Sequence, residues 1–177
     1  MIDQDTDAPL AHGPIQACKT FEEFARVLSP YFQFYSKKDS FHGEVAILTV
    51  FDGTKELDEK LATSVRGRVV LINAHCQVDV SFYGKDQHAL AVKGGARAVV
   101  VFGAVQNVAT LRKSEMAVLA LGNSPRLARD DIGITRGGYI RAESGRISSA
   151  DYIVGNRDGV VVVEKALYEK RFDVTSR

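Results

Sequence analysis

The chain is poor in cysteine: Cys18 and Cys76 lie far apart among 177 residues and form no CxxC pair, which excludes a disulfide framework and the ligand spacing of a structural zinc site. A reducing cytoplasm is the expected compartment. Neither sign of charge is in excess, because 23 Lys+Arg against 22 Asp+Glu leave a net charge of +1. That balance excludes a chain that adsorbs nucleic acid through bulk charge, and the 45% hydrophobic content excludes a disordered one. No apolar stretch approaches the ~20 residues that a membrane helix needs. Residues 1–13 are acidic where a signal peptide would be basic and then apolar. There is no internal repeat, low-complexity tract or linker. The expectation is one domain over residues 15–177 behind a flexible N-terminal arm of residues 1–14.

What is present is an alternation of helix and strand signals. Thr20 and Glu23 form a capping-box pattern ahead of Phe21, Phe24, Val27 and Leu28, predicting a short helix that stops before Pro30. Residues 44–51 are mostly β-branched or apolar and end at Asp52-Gly53, a strand. Residues 56–64 place Leu57 and Leu61 one turn apart, Gly67 punctuates, and residues 68–72 run apolar. Residues 84–92 read as the next helix, closed by Gly94-Gly95, and residues 96–102 form an unbroken apolar run of the kind buried on both faces of a sheet. Residues 116–121 are a further strand. This order predicts right-handed crossover units and an α/β layered fold. From Gly133 onward, glycines divide short apolar segments, notably 152–154 and 160–163, which predict antiparallel strands before a last helix over 165–172.

Reactive groups in such folds gather where strands end and helices begin. Three places qualify: residues 73–79, with His75, Cys76 and Asp79; Gly84-Lys85-Asp86; and Gly103 to Gln106-Asn107. His75 and Cys76 suggest a base and a nucleophile, but neighbours on an extended segment point to opposite faces, which makes Cys76 a buried small apolar residue instead. His88, one turn after Gly84, either faces the same place as Lys85 or sits at a solvent edge. His12, Cys18 and His42 show no partner spacing. Arg112, Lys113, Arg126, Arg129, Arg136 and Arg141, interrupted by Asp130-Asp131, make a locally basic region. It reads as solvated surface, and direct nucleic-acid binding is not expected.

The segments Phe41-His42-Gly43-Glu44-Val45-Ala46, Gly84-Lys85-Asp86 with residues 89–92, residues 95–105 and residues 149–163 keep a consistent order. Over residues 20–165 this order resembles the RraA-like family, which contains 4-hydroxy-4-methyl-2-oxoglutarate aldolases and the regulators of ribonuclease activity A. The resemblance implies a three-layer, swivelling-domain-like α/β fold with a mixed sheet, crossover helices and a β-rich C-terminal half. It also implies a homotrimer or hexamer with a cleft between subunits. In lyase members it implies a divalent metal and an arginine holding an α-keto acid, so that charge developing on the departing enolate is stabilised.

Carried over by position, the family's Gly-x-Val-Arg-Asp loop falls on Gly103-Ala104-Val105-Gln106-Asn107. The carboxylate-binding arginine is thus Gln106 and the metal-holding aspartate is Asn107. The Gly-Asp at the helix opening becomes Gly84-Lys85, with Asp86 next, and the acid-and-glycine turn becomes Asn73-Ala74-His75-Cys76. Neutral amides are poor anchors for a hard dication or a carboxylate. The expectation is a degenerate keto-acid lyase site without a metal cofactor, Mg²⁺ or Mn²⁺ being needed only if lyase activity is retained. Its role would be to bind a protein partner or a small anionic ligand through Gly84, Lys85, Asp86, Gln106 and Asn107. One alternative is a diverged enzyme in the same cleft, with Asp86 or Asp79 moving protons, Lys85 and Gln106 meeting an anionic substrate, and His75 as a further candidate. Another is a residual metal-dependent pyruvate aldolase or oxaloacetate decarboxylase using Asp86.

Overall fold

A computed structural model describes residues 13–50, 55–128, 134–136 and 138–172. The acidic segment 1–12, the Asp52-Gly53 stop and Asp130-Asp131 lie outside the described residues. The chain opens on α1 (Pro14–Phe21), a 3₁₀ turn (Glu22–Phe24) and two short strands, β1 (Arg26–Val27) and β2 (Gln33–Phe34). The crossover half follows as β3 (Phe41–Val50), α2 (Lys55–Thr63), β4 (Arg68–Tyr83), α3 (Lys85–Lys93), β5 (Ala98–Val105), α4 (Val108–Leu111) and β6 (Ala117–Asn123). The β-rich half comprises β7 (Ile134–Arg136), β8 (Tyr139–Ala142), β9 (Gly145–Ser148), β10 (Asp151–Asn156) and β11 (Gly159–Glu164), then α5 (Lys165–Phe172).

The main sheet runs β1-β11-β10-β3-β4-β5-β6-β2, with β7 on the far end of β3. The pairs β3/β4, β4/β5 and β5/β6 are parallel, as the strand-helix-strand order predicts, and β10/β11 and β10/β3 are antiparallel. One segment, residues 26–34, supplies both margins: β1 pairs with β11, and β2 pairs with β6.

Alternation along the strands divides the core. Val70, Ile72, Val99 and Val101 face Leu57 and Leu61 of α2 and Ala91 of α3. Val69, Leu71 and Val100 face the opposite side, where Ile140 and Ile147 of the β8–β9 hairpin cover them. Helices, sheet and hairpin therefore make three layers. The apolar runs of β4 and β5 lack alternation because both of their faces are covered.

The structure corrects the N-terminal reading. Pro14, placed above in the arm, is buried and opens α1, its fixed φ suiting the first helical position. The helix ends at Phe21, because Glu22 adopts φ 44°. Thr20 caps nothing. Val27 pairs with Val161, so the edge of β11 draws these residues into a strand despite their helical spacing.

Residues 73–79 are likewise not a loop after β4 but part of it. Asn73 pairs with Phe102, Gln77 with Gly103, Ser81 with Ala104 and Tyr83 with Val105, so a long stretch of β4 faces four residues of β5 and the surplus bulges outward. His75 (φ 52°) and Cys76 (φ 59°) are left-handed and exposed, which removes the extended-segment geometry assumed for them.

The hairpin is fastened to the sheet by charge. Arg26 Nη1 donates to the Arg146 carbonyl, and its guanidinium forks onto Asp151, which also accepts from Ser148 N at 2.7 Å. The Asp151 side chain is 6% exposed and that of Arg26 20%. Asp151→Ala would strand a part-buried guanidinium and an amide, and we expect a loss of about 2–3 kcal/mol, checked by urea denaturation.

Candidate functional site

The C-terminal ends of β4 and β5 are adjacent in the sheet, which brings Gly84 and Lys85 beside Gln106 and Asn107. A Cβ at Gly84 would lie 2.7 Å from both Asn107 Oδ1 and Gln106 Cγ, so a larger residue would push these two side chains aside. Gln106 N donates to the Tyr83 carbonyl at 2.9 Å, locking the two strand ends together. Asn107 sits at φ 56°, ψ 41°, a left-handed conformation that asparagine tolerates. In that pose its side-chain oxygen accepts a hydrogen bond from Lys85 N at 3.1 Å, capping the first turn of α3.

Residues outside the expected set support this turn. Gln87 is buried; its Oε1 accepts from Gly84 N at 3.1 Å and its Nε2 donates to Asp58 Oδ1 at 3.0 Å. A glutamine three residues after a helix-opening glycine is half of a capping box, a signal available in the sequence. Tyr83 is fully buried and its hydroxyl lies 2.9 Å from His88 Nδ1. Burial pushes the tyrosine pKa up and the histidine pKa down, so at neutral pH both are uncharged. His88 thus secures the strand end under the turn, and it is half-buried rather than merely at a solvent edge.

A histidine whose pKa is lowered by folding resists protonation in the native state but takes a proton freely when unfolded. Its contribution is complete above the unfolded value of about 6.5 and is lost as pH falls below it. We expect stability to decline between pH 7 and pH 5, and His88→Gln to flatten that component in denaturant titrations.

Lys85 and Asp86 are exposed on the first turn of α3, and Gln106 is half-exposed. His75 and Asp79 belong to the outward bulge of β4, where His75 N donates to Asn73 Oδ1 and the Asp79 carbonyl accepts from Ser124 Oγ at 2.6 Å. Ala74 and Gln77 of the same bulge press on Gly103, where a Cβ would lie 2.7 Å from Ala74 Cβ and 2.9 Å from the Gln77 carbonyl oxygen.

Chemically, the turn offers two neutral amides, helix-opening N–H groups and the exposed side chains of Lys85 and Asp86. The N–H groups of Gly84 and Lys85 are already satisfied, by Gln87 and Asn107. The two amides bring no negative charge to a divalent cation, so an anionic oxygen for it would have to come from Asp86. The set can donate and accept neutral hydrogen bonds and present the charges of Lys85 and Asp86.

The profile of the family described as "RraA-like: Aldolase/RraA" matches residues 7–162. The chain belongs to the RraA-like family. Among relatives of this RraA-like chain is a Bacillus cereus protein named "Putative 4-hydroxy-4-methyl-2-oxoglutarate aldolase". It is 26% identical over 151 residues, spanning 85% of this chain and 95% of that one. A Burkholderia multivorans protein of the same name is 30% identical over 142 residues, spanning 80% and 87%. A solved structure named as an S-adenosylmethionine: 2-dimethylmenaquinone methyltransferase from Geobacillus kaustophilus HTA426 superposes with a TM-score of 0.81 at 25% identity, over 87% of this chain and 96% of that one. The RNA-processing inhibitor RraA from Thermus thermophilis shares the fold, with a TM-score of 0.76 at 19% identity over 82% and 88%. One fold carries three differently named functions here, so function rests on the site.

Proposed function

We propose that this chain is an RraA-like binding protein whose keto-acid lyase site is degenerate. It holds a protein partner or a small anionic ligand at Gly84, Lys85, Asp86, Gln106 and Asn107, and does not cleave carbon–carbon bonds with a metal. The observation that carries the reading is the bond from Lys85 N to Asn107 Oδ1. At the position where the family resemblance puts the metal-holding carboxylate stands a neutral amide whose oxygen is engaged as a helix cap. The domain runs from Pro14 onward, assembles as a homotrimer or hexamer with this site in the cleft between copies, and works in the cytoplasm. The relative named as an RNA-processing inhibitor supports a binding role on this fold, and those named as aldolases support a lyase ancestry.

The test is pyruvate release from 4-hydroxy-4-methyl-2-oxoglutarate with Mg²⁺ or Mn²⁺, coupled to lactate dehydrogenase. Background rates are expected; turnover at ordinary enzyme rates, around 1–10³ s⁻¹, would overturn the reading. A second reading is favoured by exposed Lys85 beside half-exposed Gln106: an enzyme acting on a small anionic substrate, with Asp86 as proton carrier. It expects metal-free calorimetric binding of oxalate that Lys85→Gln abolishes.

A further inference from the structure

The β8–β9 hairpin is set apart from the main sheet. Its inner residues Ile140 and Ile147 are buried against β4 and β5, so strand alternation turns Tyr139, Arg141 and Arg146 outward. Arg141 and Arg146 are direct cross-strand partners. Like charges in that arrangement destabilise a hairpin, and among the described residues no carboxylate forms an ion pair with either. Both guanidinium groups instead lie close to one aromatic ring. The Arg146 guanidinium sits 4.0 Å from the Tyr139 ring centroid and that of Arg141 5.7 Å away, with Arg141 Nη2 donating to the Tyr139 hydroxyl at 3.4 Å. A cation–π contact uses the face of a guanidinium and not its edge N–H groups, so apart from the Arg141 N–H given to Tyr139 they remain for the forked contact with a carboxylate. The contact from Arg26 to the Arg146 carbonyl and to Asp151 fixes the platform beneath, so the cations are held before any ligand arrives.

We propose that the outer face of the β8–β9 hairpin is a docking site for an extended, acidic segment of a partner protein, whose carboxylates meet Arg141 and Arg146. Both guanidinium carbons lie close to one ring, hence within about 10 Å of each other, and carboxylates two residues apart on an extended chain are spaced by about 7 Å. The outer edge of β8 pairs with no other strand among the described residues, so such a segment can also add to it by backbone hydrogen bonds. A nucleic acid fits less well. Arg146 covers one face of the tyrosine that a base would stack on, and two cations on a chain of net charge +1 neutralise few phosphates. The hairpin alone carries this proposal, so its failure leaves the reading of the Gly84 cleft intact, and the reverse.

The experiment is fluorescence anisotropy with the full chain and a labelled dodecapeptide of six Glu-Thr repeats, its Gln-Thr counterpart and dodecauridylate. Saturable binding of the Glu-Thr peptide alone is expected, weakened at least tenfold by R141Q/R146Q and less than twofold by R112Q/K113Q. If circular dichroism shows R141Q/R146Q unfolded, R141K/R146K replaces it; this pair keeps both charges but loses the forks, and a several-fold loss is expected. The proposal is overturned by absent peptide binding, by equal losses in the two glutamine pairs, or by tighter binding of dodecauridylate through Arg141 and Arg146. A change of oligomeric mass in R141Q/R146Q, which would assign this face to a second copy, also overturns it.

Discussion

Gly94→Ala is expected to cost the fold about 3 kcal/mol or more, the largest loss from a single methyl group at the described glycines. The glycine closes α3 with an ordinary φ of −69°, so backbone freedom is not what it supplies. It supplies room. A Cβ there would stand 2.0 Å from the carbonyl oxygen of Leu61 in α2, an atom that cannot rotate away, whereas the clashes at Gly84 are with ends of flexible amide side chains. Gly84→Ala should therefore cost less, about 1–2 kcal/mol, while breaking the bond between Lys85 N and Asn107. Guanidinium denaturation of the two variants checks the order, and equal midpoints would refute the close approach of α3 to α2.

Asn107→Asp is expected to tighten Mn²⁺ binding at least tenfold, read by calorimetry, with little change in stability. Aspartate tolerates the same left-handed backbone and still accepts from Lys85 N, and a negative charge suits the opening of α3. The exchange of an amide nitrogen for oxygen supplies the anionic donor that a hard dication takes, at a point where the two amides and Lys85 offer none. Adding Gln106→Arg restores a forked partner for a keto-acid carboxylate, and the pair should raise metal-dependent pyruvate release above the parent chain by at least tenfold. Unchanged Mn²⁺ affinity in both variants would show that charge at this strand end is not what separates the chain from its aldolase-named relatives.

The parallel half of the fold was legible because its signals are local and agree. The strands over 68–72 and 96–102 carry continuous apolar runs, and the helix before each is closed by Gly67 or by Gly94-Gly95. The misreadings occur where tertiary pairing overrides local pattern. Phe21, Phe24, Val27 and Leu28 have helical spacing, yet the edge of β11 claims Val27. Residues 73–79 look like a loop because they are polar, yet they remain in register with β5 at intervals while the excess bulges out.

At the site, strand-end logic and the family resemblance located Gly84, Lys85, Gln106 and Asn107, which the sheet does bring together. Neither could show that Asn107 caps α3, since that depends on a left-handed backbone seen only in three dimensions. The contact between Tyr83 and His88 was equally hidden: a tyrosine ending an apolar run and a histidine five residues later carry no motif.

The stretch from Arg26 to Phe34 has a consequence for solubility. A wide sheet ordinarily exposes two rows of unsatisfied amides to any passing chain, and here a single short span stitches over both, two residues at each end, with Phe32 anchored on Phe102 at 4.9 Å between ring centroids. A protease nick near Pro30 would unbutton the two rims together. Nicked monomers would then become templates for intermolecular β-assembly, and aggregation following limited cleavage should be abrupt rather than gradual.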